Sequence, residues 1–237
     1  MSVGKVLDEA WGLYTRFFLR FFLIALVVFA VVNLVYGVFV AGLLDEDSDA
    51  SLAILGVVGL ATGLVGTYWL QGALVYAVQD ARDGTIDAGF GEIFSRALPH
   101  LVTLIVVGFL AGLGIGVGLV LLIVPGLFLM TIWAVVAPVV VLEAPGVWAA
   151  FGRSRTLVRG HGWAVFGVIV ITALLTAIAG GLLRGVFSFL PLFLEILIGS
   201  TIASAVVAPF GAVALTVTYF LLRDATAAVP GDTSLQT

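Results

Sequence analysis

The sequence predicts an all-α fold: a polytopic membrane helix bundle of six transmembrane helices in three hairpins, with amphipathic interfacial helices ahead of spans 1, 3 and 5. Three observations predict it. Hydrophobic residues make up 62% of the 237-residue chain and charged ones only 10%, where soluble domains run nearer half and a quarter. The charges are clustered, and residues 21–44, 50–79, 101–142, 162–183 and 196–222 carry none. The cations are also distributed asymmetrically once the spans are counted.

A helix needs about 20 residues to cross roughly 30 Å of hydrocarbon. Four of the five blocks therefore fit one span each. The block 101–142 would make roughly 63 Å of helix at about 1.5 Å per residue, enough for two. Within it, Pro125 and Gly126 are expected to form the turn between spans three and four, because proline stops a helix and glycine supplies the permissive dihedral. The alternative is a proline kink in one very long tilted helix.

Six spans place Lys5, Arg16, Arg20, Arg82, Arg96, Arg153, Arg155, Arg159 and Arg223 on one face and only Arg184 on the other. Cations mark the cytoplasmic side, so both termini are expected in the cytoplasm of a cell (inner) membrane protein. The acidic loop 45–49 falls outside. The N-terminal apolar stretch is longer than a signal core and lacks a small-residue cleavage site, so it reads as span one. Residues 1–225 read as one membrane domain and residues 226–237 as a short disordered cytoplasmic tail.

The three segments before the odd spans share a spacing. Val3, Val6, Leu7, Ala10, Trp11 and Tyr14 recur at three- and four-residue steps. So do Phe90, Ile93, Phe94, Ala97 and Leu98, and then Val147, Ala150, Phe151, Leu157 and Val158. That period lines one face of a helix. Aromatic residues and arginine beside a membrane suit a helix in the headgroup plane. A repeat of three units by duplication fits the plan, as does any hairpin-built membrane protein.

Span three reads GFLAGLGIGVGLV. Gly108, Gly112 and Gly116 form overlapping GxxxG patterns, and Gly114 with Gly118 gives another. Glycine allows close backbone approach. The expected use is packing within the chain, with Gly56, Gly59, Gly63 and Gly66 of span two facing span three; a homodimer seam or a flexible gate is the alternative. Asn33 and Gln71 are expected to face protein, since their amides cannot bond back to their own helix as threonine does. Arg184 and Glu195 are placed to form a shallow ion pair across the last hairpin or to reach independently toward the outer headgroups, or else to make an anionic-ligand site. Pro138 and Pro209 are expected to kink spans four and six.

Chemistry is sparsely represented. The chain has no cysteine, so thiolate metal sites and disulfides are excluded. No HExxH pattern, mid-membrane carboxylate pair or nucleophile–base set is present, and no strand or Lys-Ser/Thr accompanies the glycines to make a nucleotide loop. His100 and His161 stand at inner span boundaries and read as interfacial. No cofactor, metal or nucleic-acid partner is implied.

The stretch IVPGLFL followed by APVVVLEAPGVWAAFGRSRTLVRGHGW resembles a signature of prokaryotic membrane proteins that include the membrane domain ahead of some glycerophosphodiester phosphodiesterases and the YciC-like inner-membrane proteins. Pro125, Gly126, Glu143, Arg153, Ser154, Arg159 and Gly160 occupy the signature places. Where the pattern often carries a basic residue in span four, this chain has Ile132. The resemblance implies a membrane architecture and no agreed activity, and no phosphodiesterase catalytic domain is present to carry hydrolysis over. Glu143 is expected to hold Arg153 or Arg159 and fix the third interfacial helix. The functional expectation is a non-enzymatic scaffold, regulator or accessory protein. Its partners would be membrane lipids with anionic headgroups at the cytoplasmic face, a second copy, or another membrane protein. The alternative is a transporter or channel for a small or lipid-like solute.

Overall fold

A computed structural model describes residues 1–43, 49–82, 84, 88–189 and 194–227. Ten α-helices occur among them: α1 (Val3–Arg16), α2 (Phe18–Leu43), α3 (Asp49–Arg82), α4 (Phe90–Ala97), α5 (Leu101–Leu121), α6 (Ile123–Ile132), α7 (Val136–Glu143), α8 (Val147–Val158), α9 (Gly162–Phe187) and α10 (Ser200–Ala227). The described residues contain no strand. Six segments are long and apolar enough to cross a membrane: α2, α3, α4 with α5, α6 with α7, α9, and α10. The protein is therefore an all-α bundle with six candidate spans. Large apolar side chains such as Leu60, Val102 and Leu182 stand exposed on its flanks. An apolar surface this extensive is compatible with hydrocarbon as the surrounding medium and not with water.

Span six is the axis. α10 is 61% buried, against 44% or less for each of the other five spans. Two apolar clusters flank it. In one, Val6, Ala10 and Tyr14 of α1 pack with Phe21 and Ile24 of α2, Leu74 and Val78 of α3, and Val213 and Val217 of α10. In the other, Leu104 and Val107 of α5 pack with Val139 and Val140 of α7, Leu157 of α8, and Tyr219 and Leu222 of α10. Residues of α3 and α10 occur in both, which joins the halves.

Helices α1, α4 and α8 stand where the spacing predicts them, ahead of the odd spans. Ser2 caps α1, its Oγ accepting from the Lys5 N–H at 3.4 Å. Such a cap satisfies one of the four orphan donors of a helix start. The periodic faces pack on the bundle: α1 lies over α9 and α10, with Val3 beside Gly167 and Trp11 edge-on to Phe210 at 5.9 Å.

The turn between spans three and four is not at Pro125-Gly126. The chain reverses at Leu122, whose backbone is extended (φ −156°, ψ 130°). Pro125 and Gly126 fall in the first turn of α6. There a proline forfeits only an N–H that would have no partner in the helix. Gly126 serves close approach instead: a Cβ on Gly118 would meet the Gly126 Cα at 2.9 Å. Residues 120–124 at the tip are all apolar and all exposed, Val120 the most at 87%.

Span four is broken. Trp133–Val135 interrupt it between α6 and α7, just upstream of Pro138, which has no N–H to offer the Ala134 carbonyl. Pro209 by contrast lies inside a continuous α10. α10 itself runs to Ala227, two residues into the expected tail. The rest of that tail, the acidic residues 45–48 and the middle of the last hairpin turn (190–193) lie outside the described residues.

Candidate functional site

The polar side chains gather where α1, α3, α7, α8 and α10 meet, on the face that carries most of the cations. Glu143 ends α7 and is the hub. Its Oε2 accepts from Arg153 Nε at 2.7 Å, and its Oε1 accepts from the Tyr219 hydroxyl at 2.9 Å. Tyr219 is fully buried on α10, so the carboxylate ties two elements distant in sequence. The hydrogen bond to Glu143 is the largest cause of an upward shift of the Arg153 guanidinium, which stays charged. Of the two partners expected for Glu143, the structure selects Arg153; Arg159 is exposed.

The cluster continues across α10. Arg223 lies over the Tyr219 and Phe220 rings at 5.8 and 5.1 Å. Arg82 also lies over the Phe220 ring, at 4.4 Å. Its Nε reaches Glu9 at 3.3 Å and its Nη2 reaches Asp224 at 3.7 Å. Exposed pairs of this kind contribute about 0–1 kcal/mol each; the packed aromatic faces add cation–π attraction. Arg20 stacks over Phe90 at 5.3 Å, and Arg16 donates to the Gly84 carbonyl at 3.2 Å.

Around this hub, side chains satisfy backbone groups that the breaks leave open. Ser154 is fully buried, and its Oγ donates to the Ile132 carbonyl at 2.9 Å, at the end of α6. Tyr76 donates to the Val141 carbonyl at 3.2 Å, in the last turn of α7. Ala144 then closes α7 in the left-handed region (φ 48°), its N–H on the Val140 carbonyl. Gly160 adopts φ 84° before α9, a conformation glycine tolerates freely. Pro209 leaves the Ala205 carbonyl without its helical donor, and the Tyr14 hydroxyl bonds the next one, Val206, at 2.6 Å. Burial pushes the Tyr14 phenol up to about 12.

The seven positions singled out in the sequence thus differ in role. Glu143 and Arg153 pair, Ser154 caps a broken span, Pro125 and Gly126 open α6, Gly160 shapes the turn before α9, and Arg159 stands exposed. Ser154's partner was not readable from sequence, because Ile132 contributes its carbonyl and not its side chain. Of the GxxxG glycines, Gly108 packs against the Tyr68 ring of α3, whereas Cβ atoms on Gly112 and Gly116 would meet nothing within 4 Å. Among the other glycines of α5, Gly114 lies close to Trp133 and Gly118 close to Gly126. Gly59 and Gly66 face Tyr36 and Val32 of α2, not span three.

Arg184 and Glu195 do not pair: among the described residues no ion pair joins them. The half-hairpins leave Arg184 at the end of a cleft of about 590 Å³ between α9 and α10. A second cavity of about 290 Å³ lies between α2, α3 and α10, lined by Asn33, Tyr36, Thr62, Thr67, Ser200 and Ser204. Asn33 does face protein, its Nδ2 donating to Thr201 Oγ1 at 2.6 Å. Gln71 is half-buried. Among the described residues no three His, Asp or Glu side chains gather to hold a metal.

Fold and site together define an integral membrane helix bundle stitched at one end by a polar network. No protein-family model, curated protein or solved structure matches the chain.

Proposed function

We propose that this chain is a non-enzymatic membrane scaffold or accessory protein whose basic face docks on anionic lipid headgroups. The observation that carries the reading is the division of labour among the cations. Arg82, Arg153 and Arg223 are spent on carboxylates and rings within the network. Lys5, Arg155 and Arg159 are exposed and enter no ion pair among the described residues. Trp148 and Trp163 flank the two arginines and are 78% and 89% exposed. Exposed indoles beside free guanidinium groups suit the boundary between headgroups and acyl chains.

Each cation near an anionic surface contributes about 1 kcal/mol, or roughly fivefold in affinity. The full chain, taken from bilayer discs holding equal phosphatidylglycerol and phosphatidylcholine, should retain the anionic lipid preferentially. R155Q/R159Q should cut that preference by about twentyfold or more. An unchanged lipid profile, read by native mass spectrometry, would count against the reading.

The alternative, a transporter or channel for a small or lipid-like solute, draws its support from the hydroxyl- and amide-lined cavity at Asn33. Solute counterflow in proteoliposomes, abolished by filling the cavity with Gly63→Leu, would favour it over the scaffold.

A further inference from the structure

We infer that the cleft between α9 and α10 is a seat for one anionic phospholipid of the far leaflet, with its phosphate on Arg184 and one acyl chain along the groove. Three independent features lead there. The first is emptiness without a packing reason. Gly181 and Gly211 line the cleft, yet a Cβ on either would meet no atom within 4 Å, and one on Gly180 would only reach Val207 at 3.9 Å. Glycines in spans ordinarily let helices touch; these do not, and they leave room instead.

The second is that the groove is mainly apolar. Ala177, Ala208 and Phe29 line it with the glycines. Two hydroxyl side chains also stand in it, Ser204, which it shares with the cavity at Asn33, and Thr176, whose hydroxyl is spent on the Thr172 carbonyl at 2.8 Å. A hydrocarbon chain suits such walls; a sugar or an ion does not.

The third is the charge at one end. Arg184 lies eight residues beyond Thr176 along α9, about 12 Å at the helical rise. Among the described residues it takes no ion pair, and Glu195 does not reach it. It is also the single cation on a face the charge rule would leave bare, away from the nine others. A guanidinium binds phosphate through two parallel hydrogen bonds. A mainly apolar groove at least about 12 Å long that ends in one such fork matches an amphiphile with an anionic head, and the bilayer supplies that amphiphile at high local concentration.

The test separates this site from the basic face by working in the R155Q/R159Q background. The full chain is ejected from bilayer discs containing phosphatidylglycerol and phosphatidylcholine, and its retained lipids are weighed. One phosphatidylglycerol should persist. Arg184→Gln should lower its retention about tenfold, the loss of a charge-assisted contact, while Arg184→Lys should keep most of it. Gly211→Leu fills the groove and should expel lipid of either headgroup; Gly181→Leu, on the opposite wall, carries the same expectation if the first variant does not fold. Unchanged phosphatidylglycerol in Arg184→Gln overturns the proposal. So does equal retention of the two lipids by the unaltered site, or retention undiminished by either leucine.

Discussion

At the scale of single residues, the special positions are those where the backbone is forced. Gly160 at φ 84° and Ala144 at φ 48° bracket the segment that carries α8. A side chain in the left-handed region costs about 1–2 kcal/mol. Gly160→Ala should therefore destabilise the protein by about 1 kcal/mol, and Ala144→Gly should be neutral or stabilising, both read from unfolding in mixed detergent. Tyr14 adds a pH dependence. Its buried phenol releases its proton near 12, whereas the unfolded one does so near 10. The folded state thus holds the proton more tightly, so stability present below pH 10 falls as pH rises toward 12. Tyr14→Phe should flatten that alkaline decline relative to wild type, at a cost of about 1 kcal/mol near neutrality for the lost bond to Val206.

Elements are held by the groups that repair their ends. Span four is two short helices, and Ser154 closes the gap between them by taking the Ile132 carbonyl. Ser154→Ala should cost about 1–3 kcal/mol, since the carbonyl stays buried without a donor. Glu143→Gln should leave insertion intact but release α8: the amide still accepts from Tyr219, yet the charge opposite Arg153 is gone. Faster proteolysis between Ala144 and Arg159 would report it, and unaltered cleavage would refute the clamp. Much of this level was legible in advance. The periodicity locates α1, α4 and α8; charge spacing separates the spans except three and four, which share one uncharged block and are divided by its length. What escaped was role. Pro125 and Gly126 do mark a span boundary, but Leu122, which carries no turn signal of its own, makes the reversal. A GxxxG pattern names a stripe without saying whether anything touches it, and a Cβ on Gly112 or Gly116 would meet nothing within 4 Å. Asn33 announced that it needed a partner; nothing in the sequence could point to Thr201, across the bundle.

The whole molecule is asymmetric from one face to the other. One end is laced with carboxylates, guanidiniums and aromatic rings; the other is opened by two cavities. Fusions to a phosphatase that is active only across the membrane should be active after Ser188 and silent after Arg159, if the cation-rich face is cytoplasmic. The reverse pattern would invert the protein. The hairpin tip at Leu122 has a consequence for how that arrangement is built. Its five oily residues give water no foothold, so spans three and four have no soluble link to thread across first. They must enter the bilayer as a pair, and cargo spliced at their apex would be hauled through lipid with them. An Asp-rich tag inserted at Leu122 should sharply cut the yield of inserted protein, whereas the same tag beside Gly160 should pass unnoticed.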